Sequence, residues 1–137
     1  MSIPLSVHVR DLIAQHGWMV AKVADQGVMF AYTVGLTETL GHPELIMTGL
    51  DPNVAQSILN MAGDRIEKGE SLIPYASEGA ESVLFVDGLF GGGYRAAVQR
   101  VSPSQRDHRM GVAKVHYEAR GQDWEALQII MPDAKGR

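Results

Sequence analysis

The sequence has 137 residues, which suits one domain, and a chain of this size buries roughly two-thirds of the surface that it exposes when unfolded. It contains no cysteine, which excludes disulfides, thiolate nucleophiles, zinc fingers and iron–sulfur clusters and makes a reducing compartment the simpler expectation. The N-terminus lacks the basic start and apolar run of a signal peptide, and no segment approaches the roughly 20 apolar residues of a membrane helix. We therefore expect a cytoplasmic protein that does not contact a membrane.

The formal net charge of -4 argues against a general nucleic-acid binder, but the charges are unevenly distributed. Residues 38–87 carry nine acids and two bases, whereas residues 94–120 carry six bases and two acids. The six bases are Arg95, Arg100, Arg106, Arg109, Lys114 and Arg120. Gathered on one face they could meet an anion, but we favour a solvated face that is partly paired with the acidic half.

Hydrophobic periodicity predicts the elements of the first half of the chain. A short helix is expected over residues 6–16 and is closed by Gly17. Two strands follow at residues 18–23 and 28–34, joined by a four-residue loop that ends in glycine. Both strands are apolar on both faces, so we expect this hairpin to lie centrally in a sheet.

A third strand is predicted over residues 44–48. Asp51 and Pro52 then supply an N-cap and a proline at the first helical position, and apolar residues continue at helical spacing to a stop at Gly69. Residues 70–82 are polar and small, which indicates a connecting loop with a short edge strand at Leu72-Ile73.

In the second half, strands are predicted at residues 83–86 and 94–101, joined across a tip with three consecutive glycines. Those glycines also allow a phosphate loop, but a strand follows them instead of a helix, so we favour a mobile hairpin tip. Ser102-Pro103 begins a helix that Gly111 weakens and Arg120-Gly121 closes. A last strand over residues 124–131 ends at a proline.

The order of these elements indicates an α+β fold in a single domain, residues 1–137. Strands come in hairpins and do not alternate singly with helices, which favours an antiparallel or mixed sheet of about five to six strands, with two to three helices packed on it, over a doubly wound parallel sheet. No repeat, linker or low-complexity tract interrupts the pattern.

Several short motifs resemble one family. They are Gly17-Trp18, Phe-Ala-Tyr-Thr-Val-Gly-Leu at residues 30–36, Gly-His-Pro-Glu-Leu at residues 41–45, Gly49-Leu50, Ala-Leu-Gln at residues 126–128, Pro132-Asp133 and Gly136-Arg137. The set resembles the bacterial domain-of-unknown-function family numbered 4262 over nearly the whole chain, with Tyr-Thr-Val-Gly-Leu and Gly-His-Pro-Glu-Leu as the specific pair. This resemblance implies no reaction, cofactor or partner.

The stretch from Tyr32 to Ile46 holds the densest set of unusual residues between two apolar segments. Here the chain must leave one strand and return as the next, and Gly35 and Gly41 provide two positions where φ can be positive. Pro43 favours an extended conformation for the residue before it. A glycine-hinged connection between two core strands is therefore expected.

His42 and Glu44 are the candidate catalytic groups of this stretch. If both are extended, they project to the same side because they are two residues apart. A histidine beside a carboxylate is the minimum for a general base held in one tautomer, or for two ligands of a divalent metal whose third ligand would be His116 or Asp133. The structural alternative, which we favour, is that His42 bonds a backbone carbonyl and Glu44 pairs with an arginine.

Five further residues are candidates for ligand binding. Tyr32 and Thr33 point to opposite faces of their strand, so at most one of them can face a pocket. Gln128 lies in an otherwise apolar strand and, if buried, needs hydrogen-bond partners as a structural hub or as a ligand anchor. The set is Tyr32, Thr33, Gly35, Arg95 and Gln128.

The sequence lacks the motifs of a serine hydrolase and of a dinucleotide-binding fold. There is no Gly-x-Ser-x-Gly elbow, and the glycine cluster lacks the strand-turn-helix setting of a dinucleotide site. We expect a small binding or interaction domain with a pocket near His42 and Glu44, for a small molecule or protein that the sequence does not identify. The alternative is a hydrolase or other acid–base enzyme that uses these two residues, with or without a metal. A module that neutralises a partner protein would instead show an apolar patch of about several hundred Å².

Overall fold

The computed structural model describes residues 5–25, 27–74, 83–89 and 95–130, which form one β-sheet and five helices. The helices are α1 (Leu5–His16), α2 (Leu36–Leu40), α3 (Pro52–Glu67), α4 (Pro103–Arg109) and α5 (Gly111–Arg120). The strands are β1 (Met19–Asp25), β2 (Val28–Val34), β3 (Glu44–Thr48), β4 (Val83–Asp87), β5 (Arg95–Arg100) and β6 (Ala126–Ile130). The predicted α+β class is confirmed.

The sheet is mixed and has the strand order β1-β2-β3-β6-β5-β4. Every neighbouring pair is antiparallel except β3 and β6, which run parallel with Glu44 opposite Ala126 and Ile46 opposite Gln128. The prediction of an antiparallel or mixed sheet of about five to six strands is confirmed. Because β6 inserts between β3 and β5, the last strand joins the two halves of the sheet.

Helices pack on both faces of the sheet. α3 contacts β1, β2 and β3 on one face, while α1 and α5 contact β1 and β2 on the other. Successive residues of β3 alternate between the two cores, because side chains along a strand point to opposite faces. Leu45 and Met47 belong to the cluster under α3, here called the α3-side cluster, and Ile46 belongs to the cluster under α1 and α5, the α5-side cluster.

The predicted hairpin forms, but its expected central position is wrong for one strand. β2 has a neighbour on each side, whereas β1 is an edge strand. β1 is apolar on both faces because α1 contacts it on one face and α3 on the other. The apolar residues on both faces of β1 therefore indicate that helices cover both faces, and they do not indicate how many strands pair with it.

The helix predicted after Asp51 is confirmed. The Asp51 Oδ1 atom accepts a hydrogen bond from the Asn53 N–H at 2.8 Å, and Pro52 lies in the first turn. The chain leaves the helix just before Gly69, which has a positive φ of 105°.

Two helices replace the single helix predicted after Ser102. The Ser102 hydroxyl accepts the Gln105 N–H at 3.3 Å, so the predicted start is correct. The helix stops at Met110, whose φ of -105° and ψ of 55° are not helical, and α5 begins at the next residue. The break places the Met110 side chain in the α5-side cluster. With α2 as the other addition, the described residues contain five helices and not the two to three expected.

Some predictions concern residues outside the described ranges, namely residues 75–82 of the polar loop, residues 90–94 with the glycine-rich tip, and residues 131–137 with Asp133. The edge strand predicted at Leu72-Ile73 is wrong, because both residues are described and form no strand. Leu72 is instead buried in the α3-side cluster. Within the described ranges, no helix is both long and apolar enough to cross a membrane.

Candidate functional site

The connection between β2 and β3 contains a short helix, α2, with a glycine at each end. Gly35 precedes the helix with a φ of 118°, and Gly41 follows it with a φ of 68°. The Gly41 N–H donates to the Thr37 carbonyl at 3.0 Å. The two positive φ values confirm the glycine-hinged connection, while the helix itself is too short to show a periodic pattern in the sequence.

The Glu44 carboxylate lies at the start of α2 and is fully buried. Three successive backbone N–H groups donate to it: Gly35 at 3.1 Å, Leu36 at 3.2 Å and Thr37 at 3.1 Å. These N–H groups have no partner within the helix, so a carboxylate from β3 satisfies them in place of an N-cap side chain.

Two hydroxyl groups complete the surroundings of Glu44. The Thr33 hydroxyl donates to Oε1 at 2.8 Å and accepts the Leu45 N–H at 2.8 Å, while the Tyr117 hydroxyl donates to Oε2. Burial raises the pKa of Glu44, and the hydrogen bonds, first the one from Tyr117, oppose that rise. Burial and the Glu44 charge raise the pKa of Tyr117, so its hydroxyl keeps the proton that it donates.

His42 is also buried, but its hydrogen-bond partners differ from those of Glu44. Its Nδ1 atom lies 2.9 Å from the Pro43 carbonyl oxygen, and its Nε2 atom lies 3.1 Å from the Leu72 backbone nitrogen. The Leu72 N–H can only donate, so Nε2 accepts and Nδ1 carries the hydrogen that it donates to Pro43. Burial lowers the pKa of His42, which favours this neutral tautomer.

His42 and Glu44 do not project to the same side, so that prediction is wrong. They share no hydrogen bond, and their partners Leu72 and Tyr117 belong to the α3-side and α5-side clusters. The backbone-carbonyl contact favoured for His42 is confirmed. Glu44, however, is held by hydroxyl and N–H donors and not by an arginine, because a fully buried carboxylate can be satisfied by nearby backbone N–H groups without a second buried charge.

We expect His42 to make the protein less stable as the pH falls below about 6.5. Neutral His42 is the folded form, so unfolding takes up a proton in the window between the lowered folded pKa and the ordinary unfolded value. The stability contribution is complete above that window and is lost as the pH falls through it, by at most about 1.4 kcal/mol per pH unit. Urea unfolding between about pH 7.5 and 5 would measure it.

The matched comparison for this pH effect uses two glutamine variants. His42→Gln should lower stability at all pH values and flatten its acid dependence relative to the wild type. His108→Gln, which changes an exposed histidine, is the matched control and should stay within about 0.5 kcal/mol of the wild type. If the free energy of unfolding fell equally with pH in the wild type and in His42→Gln, the proposed role of His42 as a buried neutral histidine would be contradicted.

Tyr32, Thr33 and Gly35 lie in the core around this connection. The Tyr32 hydroxyl accepts the Val112 N–H at 3.0 Å, and burial raises the pKa of Tyr32. Thr33 and Gly35 both donate to Glu44. All three residues are therefore engaged in hydrogen bonds within the protein.

Arg95 and Gln128 lie apart from His42 and from each other. Arg95 pairs with Asp87 at 3.3 Å, and their side chains are 67% and 75% exposed, so this pair contributes little. Gln128 is half-buried and donates to the Thr48 hydroxyl at 3.3 Å. The structure therefore does not bring the seven predicted site residues into one cavity.

An open cleft of about 1020 Å³ begins beside His42. Its walls are the loop after α2, the end of β5, the outer surfaces of α4 and α5, and the segment that leads into β6. The lining residues include Thr37, Gly41, His42, Pro43, Ile73, Arg100, Arg106, Asp107, Lys114, Glu118, Gln122, Asp123, Trp124 and Glu125. This volume is at the upper end for a small-molecule site, which is typically about 300–1,000 Å³.

The bases of the cleft are paired with acids. The Arg106 guanidinium lies 4.5 Å from the centroid of the Trp124 ring, donates to the Trp124 carbonyl and contacts Asp107 at 3.0 Å. The other two pairs are Arg100 with Glu125 at 3.5 Å and Lys114 with Glu118 at 3.2 Å. The cleft therefore presents both signs of charge side by side.

Arg106 and Trp124 are site residues that sequence reasoning did not single out. The basic segment included Arg106, but nothing in the sequence connects it with a tryptophan 18 residues further on. Trp124 was expected only as the first residue of a strand, which in fact begins at Ala126.

His116 does not join His42 and Glu44 as a third metal ligand. Its Nε2 atom lies 2.7 Å from Glu38 Oε1, and Arg120 contacts the other Glu38 oxygen at 3.4 Å. Among the residues that the structure describes, no group of three or more histidine, aspartate or glutamate side chains is arranged to hold a metal ion.

One family model matches this chain. It is described as Domain of unknown function (DUF4262), and it matches residues 12–137, nearly the whole chain. The matched region contains both specific motifs, residues 32–36 and 41–45, which form the connection around Glu44. No curated protein and no solved structure matches the chain.

Proposed function

This chain belongs to the DUF4262 family, whose description names no function, and we propose from its geometry that it is a small cytoplasmic ligand-binding domain. The proposed site is the cleft beside Gly41, His42 and Pro43. The observation that carries the proposal is the cleft itself, an open cavity of about 1020 Å³. The absence of cysteine supports the cytoplasmic location, and the family resemblance supports a bacterial source.

The charges of the cleft favour a ligand that carries both a positive and a negative group. Arg106 offers a guanidinium held against Trp124, and Asp107 lies beside it. Lys114 and Glu118 repeat the pairing on α5. A small zwitterion or a peptide segment would meet a partner for each of its charges, whereas a polyanion would also face the acids.

The same geometry supports binding ahead of acid–base catalysis by His42 and Glu44. A general base needs a free nitrogen or oxygen within reach of the substrate. Both ring nitrogens of His42 are occupied by backbone groups, and Glu44 has no exposed surface. His42 would have to give up the Leu72 N–H before it could accept a proton from a ligand.

Filling the cleft should remove binding. Asp123 is exposed and lines the cleft, so Asp123→Trp would occupy part of it. Asp64 is an exposed aspartate of α3 outside the lining, so Asp64→Trp is the matched control. We would add amino acids and short peptides as probes and follow amide NMR shifts. The wild type and Asp64→Trp should respond around the cleft, and Asp123→Trp should bind at least about tenfold more weakly.

Two outcomes would contradict the proposed binding site or function. Shift changes that lie outside the cleft, or that survive Asp123→Trp unchanged, would contradict the site. Turnover of a probe by the wild type, lost in a folded His42→Gln variant with binding intact, would instead support the acid–base enzyme.

A further inference from the structure

One arginine of the basic segment differs from the other bases there. Five of the six bases in residues 94–120 are paired with carboxylates: Arg95 with Asp87, Arg100 with Glu125, Arg106 with Asp107, Lys114 with Glu118 and Arg120 with Glu38. Within the described part of the chain, Arg109 has no carboxylate partner. Arg109 is half-buried, and its guanidinium lies 5.9 Å from the centroid of the Phe30 ring, a contact that compensates only part of any lost hydration.

Arg109 lines a second cavity, of about 310 Å³. The cavity lies between α4 and the parallel pair of β3 and β6, and its polar lining consists of Thr48, Arg100, Ser102, Gln105, Arg109 and Gln128. Of the described residues that line it, Arg100 and Arg109 are charged and none is acidic, and the Arg100 guanidinium is paired with Glu125 outside the lining, so Arg109 supplies the unpaired charge. The cavity is therefore positive, in contrast to the mixed charges of the larger cleft.

The hydrogen-bonding groups of this cavity include several donors. The Thr48 oxygen accepts from the Gln128 amide at 3.3 Å, which leaves the Thr48 hydroxyl hydrogen and a second Gln128 amide hydrogen to donate. Gln105 adds another side-chain amide. Among the described residues, the contacts of the Arg100 guanidinium are long, 3.5 Å to Glu125 and 3.3 Å to the Pro74 carbonyl. The lining can thus satisfy several oxygens of one anion.

We propose that this cavity binds a phosphate group, as inorganic phosphate or as the end of a small phosphorylated molecule. Guanidinium groups bind phosphate oxygens through paired N–H donors, and hydroxyl and amide donors can complete the set. The volume is about ten times the roughly 30 Å³ that one water molecule takes up in the liquid, which leaves room for more than the anion. This site goes beyond the function proposed for the cleft, although Arg100, Val101 and Ser102 border both cavities.

Titration with sodium phosphate at constant ionic strength tests the site. The wild type should show saturable amide shifts at Gln105, Arg109 and Gln128, which line this cavity and not the cleft. If the natural ligand is a phosphate ester, glycerol phosphate should shift the same residues. If the ligand is inorganic phosphate, glycerol phosphate should bind more weakly than inorganic phosphate. Acetate, which carries one carboxylate, should bind more weakly than either.

Three variants separate the role of Arg109 from that of general positive charge. Arg109→Gln should weaken phosphate binding roughly tenfold or more, the effect of losing one charge-assisted hydrogen-bonding group. The phosphate affinity of Arg109→Lys should lie between those of Arg109→Gln and the wild type, because lysine keeps the charge but loses the paired donors. Arg95→Gln removes an exposed arginine that does not line the cavity and should change the affinity less than about twofold.

The proposal is overturned if neither inorganic phosphate nor glycerol phosphate gives a saturable response, or if folded Arg109→Gln and Arg109→Lys bind as the wild type does. Asp123→Trp, which fills the cleft, should leave phosphate binding unchanged. An equal loss of phosphate binding in Asp123→Trp would assign the anion to the cleft and overturn the separate site. Failure of the phosphate titration leaves the cleft experiment unaffected, because the amino acids and short peptides used there carry no phosphate.

Discussion

Glu44→Gln should lower the free energy of unfolding by about 2–4 kcal/mol, although it hardly changes the volume of the side chain. Oε1 accepts from Thr33 and Leu36, and Oε2 accepts from Gly35, Thr37 and Tyr117. An amide replaces one of these oxygens by an NH2 group, so two or three donors would face another donor in a buried site. Urea unfolding followed by tryptophan fluorescence measures the change.

Two companion variants show whether the hydrogen bonds to Glu44 carry this effect. Tyr117→Phe removes one donor and should cost about 1–2 kcal/mol. Glu67→Gln changes an exposed glutamate of α3 and should stay within about 0.5 kcal/mol of the wild type. A Glu44→Gln variant as stable as Glu67→Gln would show that the hydrogen bonds to Glu44 do not stabilise the fold.

Gly35→Ala should destabilise the protein by about 2–5 kcal/mol, the combined cost of strained backbone and overpacking. Gly35 has a φ of 118°, which residues with a side chain rarely adopt. A Cβ there would lie 2.9 Å from Ile13 Cγ1 and 3.0 Å from both the Gly17 carbonyl oxygen and Trp18 Cα. Two of these neighbours are backbone atoms, which cannot move without disturbing the start of β1.

Gly41→Ala is the matched control at the other end of α2. Gly41 also has a positive φ, 68°, but a Cβ at this position would have no neighbouring atom within 4 Å. We expect Gly41→Ala to cost only about 1–2 kcal/mol, the usual penalty of the left-handed conformation. Thermal unfolding of the two variants compares them, and equal losses would show that packing around Gly35 contributes nothing.

Most elements of the fold were predictable because their signals are local. Asp51 and Pro52 mark the start of α3, and Ser102 marks the start of α4, through hydrogen bonds that span two or three residues. The positions where the prediction was wrong depend on distant partners. The helix after Ser102 breaks at Met110 because this side chain enters the α5-side cluster, which no local pattern reports.

The candidate site was predictable in part for the same reason. The glycine-hinged connection follows from Gly35 and Gly41, and their positive φ values agree with it. The hydrogen-bond partners of Glu44 could not be predicted in the same way, because Tyr117 is 73 residues away and no local pattern connects the two residues. The expected pairing of Glu44 with an arginine was wrong for this reason.

The amino-acid sequence thus specifies the mixed α+β class, α3, the strands and the glycine hinges, since periodicity, capping and backbone freedom act over a few residues. Tertiary packing specifies which of the chemically interesting groups remain available to a ligand. It buries Glu44 and neutral His42, and it places β6 between β3 and β5 so that Trp124 lies beside Arg106 and Gln128 beside Thr48. Such contacts join segments far apart in the chain, and their geometry depends on the order of strands, which short-range patterns do not encode.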